Sequence, residues 1–170
     1  MIDCRKGSIA CRVMLGLAAM FVQLGSASAA DVNLARAPIA LSYPDQWSKT
    51  DPAGSLRLDD PAREVMIVFE VVQASAVDAA LGNLQNKLKG LGLGQVAVSS
   101  EEERLINGMK AALKSGKAML DGQPVQLGVG IIDVSAQQRL MLFTIVKDGA
   151  AAKHKDTVLE ILESIRPIRG

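Results

Sequence analysis

Beyond Ala30 the sequence contains no cysteine, and His154 is its only histidine. The first absence excludes a disulfide framework, a thiolate metal site and a cysteine nucleophile in everything that follows Ala30. The second leaves little for acid–base catalysis. A Ser-His-Asp triad would have to recruit His154, and the sequence has no GxSxG elbow to present a serine. His154 lies between Lys153 and Lys155, whose positive charges disfavour a proton or a metal on the ring, so the sequence predicts a solvent-exposed side chain. Aromatic residues make up 3% of the chain, with Trp47 the only tryptophan. Neither sign of charge dominates.

What is present begins with an export pattern. Arg5, Lys6 and Arg12 form a positive start, Val13 to Leu24 an apolar run, and Gly25 to Ala30 a small-residue stretch of the kind a signal peptidase cuts. The apolar run is too short for a bilayer, which takes roughly 20 residues, so residues 1–30 read as a cleaved signal, cut after Ala29 or after Ala30. Cys4 and Cys11 leave with it, and no cysteine follows the cut for lipid attachment. Losing Asp3, Arg5, Lys6 and Arg12 takes the formal charge from +1 to −1. A balance so close to neutral gives no broad drive toward nucleic acid or an anionic membrane. Residues 31–170 are enough for one domain that needs neither disulfides nor metal to bury its core.

Residues 31–38 read as an extended lead-in. Ile39, Leu41 and Tyr43 then alternate as a half-buried strand that Pro44 stops. Trp47 follows in a polar loop, where a plug over one end of the core is the expected role. Residues 55–58 suggest a short strand, Asp59-Asp60-Pro61 a turn, and residues 64–72 a central strand rich in β-branched side chains. The period changes at Val77, Leu81, Leu84 and Leu88, predicting an amphipathic helix over residues 75–89 with Ser75 as its N-cap. Gly90, Gly92 and Gly94 sit at the end of that helix rather than opening one, so they read as a cap and turn and not as a phosphate loop. Residues 95–99 suggest another strand, and Glu101, Glu102 and Glu103 a solvated acidic edge.

Asn107-Gly108 and Asp121-Gly122 are two-residue hairpin turns in their chemistry, so Met109 to Leu120 between them should be one long strand. Its apolar phase shifts from Met109, Ala111 and Leu113 to Ala118 and Leu120, as a bulge near Gly116 would cause. Residues 125–134 and 139–146 are apolar on both sides of the pleat and predict the buried centre of the sheet. Val158, Ile161, Leu162 and Ile165 stripe a closing helix. Met66, Met109, Met119 and Met141 all fall within strands and read as core filler, not as a soft-metal site. The fold class is therefore α+β: an antiparallel sheet meander of about six or seven strands with an early and a C-terminal helix packed on it.

The order of these elements, with Tyr43-Pro44 and Trp47 near the start and a terminal helix ending Glu163-Ser164-Ile165-Arg166, resembles the PsbP-like superfamily from Ile39 to Ile168. That group includes an extrinsic photosystem subunit, a Ran-binding Mog protein and small secreted bacterial proteins. The resemblance implies a sheet sandwiched by helices and a mainly non-enzymatic, protein-binding habit, and it brings no catalytic residues. The expected function is a non-catalytic accessory or protein-binding domain of the bacterial cell envelope, periplasmic or secreted, with an envelope protein as partner and no cofactor. Its surface candidates are Trp47, Lys110, Lys114 and Lys117. The alternative is a carrier of a small apolar ligand, with a cavity between sheet and helix near Trp47. A hydrolase built on paired carboxylates is a third reading that no spacing supports.

Overall fold

Both Asn107-Gly108 and Asp121-Gly122 place their residues at positive φ (49° and 83°, 49° and 76°), the geometry of type I′ turns, and so fix the registers of the hairpins they close. The computed structural model describes residues 28–90 and 92–168. In chain order it has β1 (Ala29–Asn33), β2 (Ile39–Pro44), β3 (Ser48–Thr50), β4 (Leu56–Asp59), β5 (Val65–Gln73), α1 (Val77–Gly90) and β6 (Leu93–Ile106). Then come β7 (Met109–Leu120), β8 (Gln123–Asp133), β9 (Gln138–Lys147), α2 (Ala151–Ser164) and β10 (Arg166–Pro167). The expected signal lies outside the described residues, apart from Ser28 and from Ala29 and Ala30, which open β1.

Seven strands form one antiparallel sheet in the order β3-β4-β5-β9-β8-β7-β6. The first three run as a meander, α1 carries the chain to the far edge, and β6 to β9 meander back until β9 pairs with β5. The hairpin β8–β9 is thus central, as its two-sided apolar sequence requires. A second sheet, β1-β2-β10, is the part that the sequence does not announce. Residues 31–38 are not all lead-in: Asp31, Val32 and Asn33 belong to β1 and pair with Ser42, Leu41 and Ala40. In β1 only Ala30 and Val32 alternate onto the covered side, too short a pattern to announce a strand, and the pairing with β2 completes it.

Each face of the large sheet has its own cover. On one, Leu58, Ile67, Phe69, Met109, Ala111, Ile132, Leu140 and Leu142 pack against Ile39 and Leu41 of β2, Trp47, Ile161 and Leu162 of α2, and Ile165, the extended residue that follows the helix. On the other, Ala118, Val125, Leu127, Phe143 and Ile145 pack against Leu88 and Leu84 of α1. These two covers explain the phase shift in β7. No bulge interrupts its pairing with β8, which runs in unbroken register from Ala111↔Ile132 to Leu120↔Gln123. Met109 and Ala111 point to the α2 side, and Ala118 points to the α1 side at the other end of the strand. The irregularities lie in β6, between Gly94 and Ala97 and between Val98 and Ser100, with Gln95 at φ 51°. They bend an edge strand, where bulges hinder pairing with other chains.

Two smaller expectations also change. Ser75 is not an N-cap, because a turn of 3-10 helix, Ala74–Ala76, leads directly into α1. The acidic residues Glu101 to Glu103 and the expected strand before them form one strand, β6. Gly92, at φ 79°, makes the turn after α1 as its position requires.

Candidate functional site beneath the C-terminal helix

Face-A residues of the large sheet, those on the α2 side, form ordered rows across the strands. One row contains only small residues: Ser100 pairs with Ser115, Ser115 with Gly128 and Gly128 with Thr144. Four neighbouring strands therefore carry almost no side-chain height at this level, and a trench crosses the sheet. A Cβ at Gly128 would stand 2.4 Å from Thr144 Oγ1, so the Thr144 hydroxyl leans over the glycine and takes the place of its missing side chain. In the next row, a Cβ at Gly130 would meet Leu113 and Leu142 at 2.8 Å. These leucines close over Gly130 and form one wall.

The helix α2 roofs the trench without filling it. Its stripe of Ala151, His154, Lys155, Val158, Leu159 and Leu162 recurs at three- and four-residue spacing, so all six face the sheet side. Because α2 lies closest to β2, a groove of about 310 Å³ remains between it and strands β6 to β9. That volume is at the lower end of small-ligand sites, which run from roughly 300 to 1,000 Å³. The walls are mainly aliphatic, from Leu113, Leu142, Val146, Val158, Leu159 and Leu162, and the floor carries the hydroxyls. Ser100 Oγ and Ser115 Oγ are hydrogen-bonded at 2.7 Å.

A polar clamp holds the first turn of α2 in place. Asp60 is buried; its Oδ1 accepts the backbone N–H groups of Glu64 and Val65, each at 2.6 Å, and its Oδ2 accepts that of Ala62 at 3.0 Å. This fixes the β4–β5 turn and presents Glu64, whose Oε2 accepts from Lys153 Nζ at 2.9 Å and from His154 Nε2 at 3.0 Å. The His154 hydrogen bond, and after it the Lys153 ammonium, pull the Glu64 carboxyl down from 4.5 to about 2. Ionised Glu64 can only accept, so His154 carries its proton on Nε2. His154 is thus not the solvent-exposed residue that its two lysine neighbours suggest. Helical rotation turns it inward toward a carboxylate brought from residue 64, and it is 9% exposed.

Asp60, Glu64 and His154 each offer a ligand atom within 4.8 Å of the others. Every one of those atoms already has a protein partner. A cation would have to displace Lys153 and compete with three backbone donors, so the cluster reads as a fastening for α2. Nε2, the ring atom that faces the carboxylates, is committed to Glu64.

The residues singled out in the sequence do not converge on one site, although Lys114 borders the groove. Trp47 is 6% exposed and packs in the core under β2, so it plugs the core, and the groove is not beside it. Lys110 and Lys114 alternate onto the α1 side of β7, where Lys114 Nζ is 2.8 Å from Glu101. Lys117, an odd number of residues away, projects to the α2 side, 3.9 Å from Asp148. The three lysines do not share one face. What the sequence reading missed is the row Ser100, Ser115, Gly128 and Thr144; the signals were Gly128 and Thr144, small or polar interruptions inside the two most apolar strands.

The covers on both sheet faces, the crossover helix and the returning meander define an α+β sandwich class with a groove under its last helix. The particular architecture is the PsbP-like fold. The solution structure of cyanobacterial PsbP (CyanoP) from Synechocystis sp. PCC 6803 matches it with TM-score 0.60 at 11% identity, over 85% of this chain and 95% of that one. LpqN, involved in cell envelope biogenesis of Mycobacterium tuberculosis, matches with TM-score 0.54 at 16% identity, over 84% and 86%. PA94, a protein of unknown function from Pseudomonas aeruginosa, matches with TM-score 0.52 at 18% identity, over 84% and 99%. At such identities the likeness is one of fold. No family model and no curated protein matches the sequence. Among the described residues, no helix is long and apolar enough to cross a membrane.

Proposed function

We propose that this chain is exported and serves in the bacterial cell envelope as a non-catalytic accessory domain that binds another envelope protein. The observation that carries the proposal is the export pattern of Arg5 to Ala30 placed ahead of a PsbP-like domain. An envelope role for LpqN, which shares the fold, supports it. Export also bears on the cut. Ala29 and Ala30 pair with Pro44 and Tyr43, so cleavage after Ala30 would remove two rungs of β1. Fractionation of cells producing the C-terminally tagged chain, with mass measurement of the product, tests the reading. A shortened chain in the periplasm or medium that captures the same envelope protein repeatedly is the expected result. Full-length product confined to the cytoplasm overturns it.

A second reading is favoured by the groove: the domain carries a small apolar ligand between α2 and the sheet. Sites of this kind combine aliphatic walls with a few placed polar groups, and the hydroxyl-floored trench has that composition. Binding of the neutral fluorophore Nile red, with a blue-shifted emission, is the expected sign. Emission unchanged from buffer would remove this reading.

A further inference from the structure

We infer that the groove beneath α2 is a site for one single-chain anionic amphiphile, a fatty carboxylate of medium length, with its chain along the aliphatic wall and its carboxylate at Lys155. The inference rests on the ligand-carrier reading and adds the chemical class and direction of the ligand.

Three observations point to this occupant. The wall formed by Val158, Leu159 and Leu162 above, with Leu113, Leu142 and Val146 below, is unbranched in its demands: it offers length and dryness but no aromatic face for stacking a ring. The volume of about 310 Å³ suits one chain rather than two. The third observation is charge. Lys155 and Leu159 are one helical turn apart on the groove side of α2, so a cation adjoins an aliphatic wall.

The charges around Lys155 leave it free to act. Lys114, which borders the groove, is held by Glu101 at 2.8 Å. Lys153 and His154 are held by Glu64 at 2.9 and 3.0 Å. Glu102 is the one carboxylate among the lining residues, and it faces Arg104 Nε at 3.9 Å. Lys155 has no carboxylate within ion-pair distance among the described residues. Ser100 and Ser115 line the same groove, and since one hydroxyl donates to the other, one O–H of the pair is left to donate to a ligand oxygen. A carboxylate meeting an ammonium and a hydroxyl forms charge-assisted hydrogen bonds, stronger than those that a neutral alcohol would form. A bare hydrocarbon would leave the floor hydroxyls without a ligand partner.

The test is displacement of Nile red from the purified chain by decanoate and, in parallel, by decanol, both below their aggregation limits. Decanoate should displace the dye at concentrations about tenfold lower than decanol. Lys155→Gln should weaken decanoate about tenfold and leave decanol unchanged. Ser115→Phe, at an exposed floor position, should abolish dye and decanoate binding with an unchanged thermal transition. Leu159→Trp fills the groove from the helix and replaces Ser115→Phe if that variant does not fold. Equal displacement by the two ligands, no effect of Lys155→Gln, or dye that decanoate cannot displace overturns the inference and leaves the carrier reading standing. Failure of the wild-type chain to bind Nile red overturns both.

Discussion

Replacing Asp60 by alanine should be among the most destabilising single changes outside the aliphatic core. The carboxylate accepts three backbone N–H groups, and two of the donors, on Glu64 and Val65, sit at 2.6 Å beneath a side chain that is 2% exposed. Alanine would leave these two inside the protein without an acceptor, at about 1–3 kcal/mol each. The Ala62 N–H, on an exposed residue, can turn to water. Relief from burying a charge offsets part of the loss, so a net cost of about 3 kcal/mol is expected, set against roughly 5–15 kcal/mol for a domain. Asp60→Asn keeps an oxygen at the Oδ1 position and should cost only about 1 kcal/mol, because just the Ala62 donor then faces an amide nitrogen. Urea unfolding resolves the two. With a slope of about 1.5–2 kcal/mol/M, the midpoint should drop by about 1.5–2 M for alanine and by about 0.5 M for asparagine, with the slope itself unchanged. Alanine within 0.5 M of wild type, or asparagine as costly as alanine, would refute the assignment of Asp60 to backbone acceptance.

Three further outcomes are expected. Glu64 has a folded pKa of about 2 against 4.5 for the free group, so between those values the unfolded chain binds more protons and stability falls as the pH is lowered through that window. Acid unfolding of Glu64→Gln should lose that component, and an acid profile identical to wild type would contradict the clamp. Asn107→Gly keeps the positive φ of the turn but removes two 2.7 Å hydrogen bonds from Asn107 Nδ2 to the carbonyls of Glu163 and Ile165. It should cost about 1–2 kcal/mol in urea unfolding, and no loss would show that the end of α2 is held by packing alone. Arg104→Met should leave stability unchanged or raise it by about 1 kcal/mol, since Nε and Nη2 are buried without a hydrogen-bond partner and the nearest carboxylates stand at 3.9 Å. A thermal transition several degrees lower would show that those long pairs matter.

How far the sequence could be read varied with the range of the forces involved. Asn107-Gly108, Asp121-Gly122 and the stripe of α2 are set by neighbours within a few residues, so turns, strand lengths and helix were legible. The buried centre at β8 and β9 was legible because two covered faces leave an unbroken apolar run. Pairings across the chain were not. Asp31 to Asn33 become strand only through β2, and the side swap in β7 looks like a bulge until two covers are known to lie on opposite faces. His154 was misplaced for the same reason, since the partner that turns it inward lies 90 positions earlier. The groove floor is the extreme case. Gly128 and Thr144 interrupt apolar runs, but only the strand registers bring them into one row with Ser100 and Ser115.

The most direct measurement is a nuclear magnetic resonance titration of the nitrogen-15-labelled chain with decanoate. If the space under α2 is where this domain meets its ligand, amide shifts will move with saturation at Ser115, Gly128, Thr144, Lys155 and Leu159, and the amides around Trp47 and Lys110 will stay in place. Shifts confined to the Trp47 loop or the Lys110 face, or none at all, would contradict it.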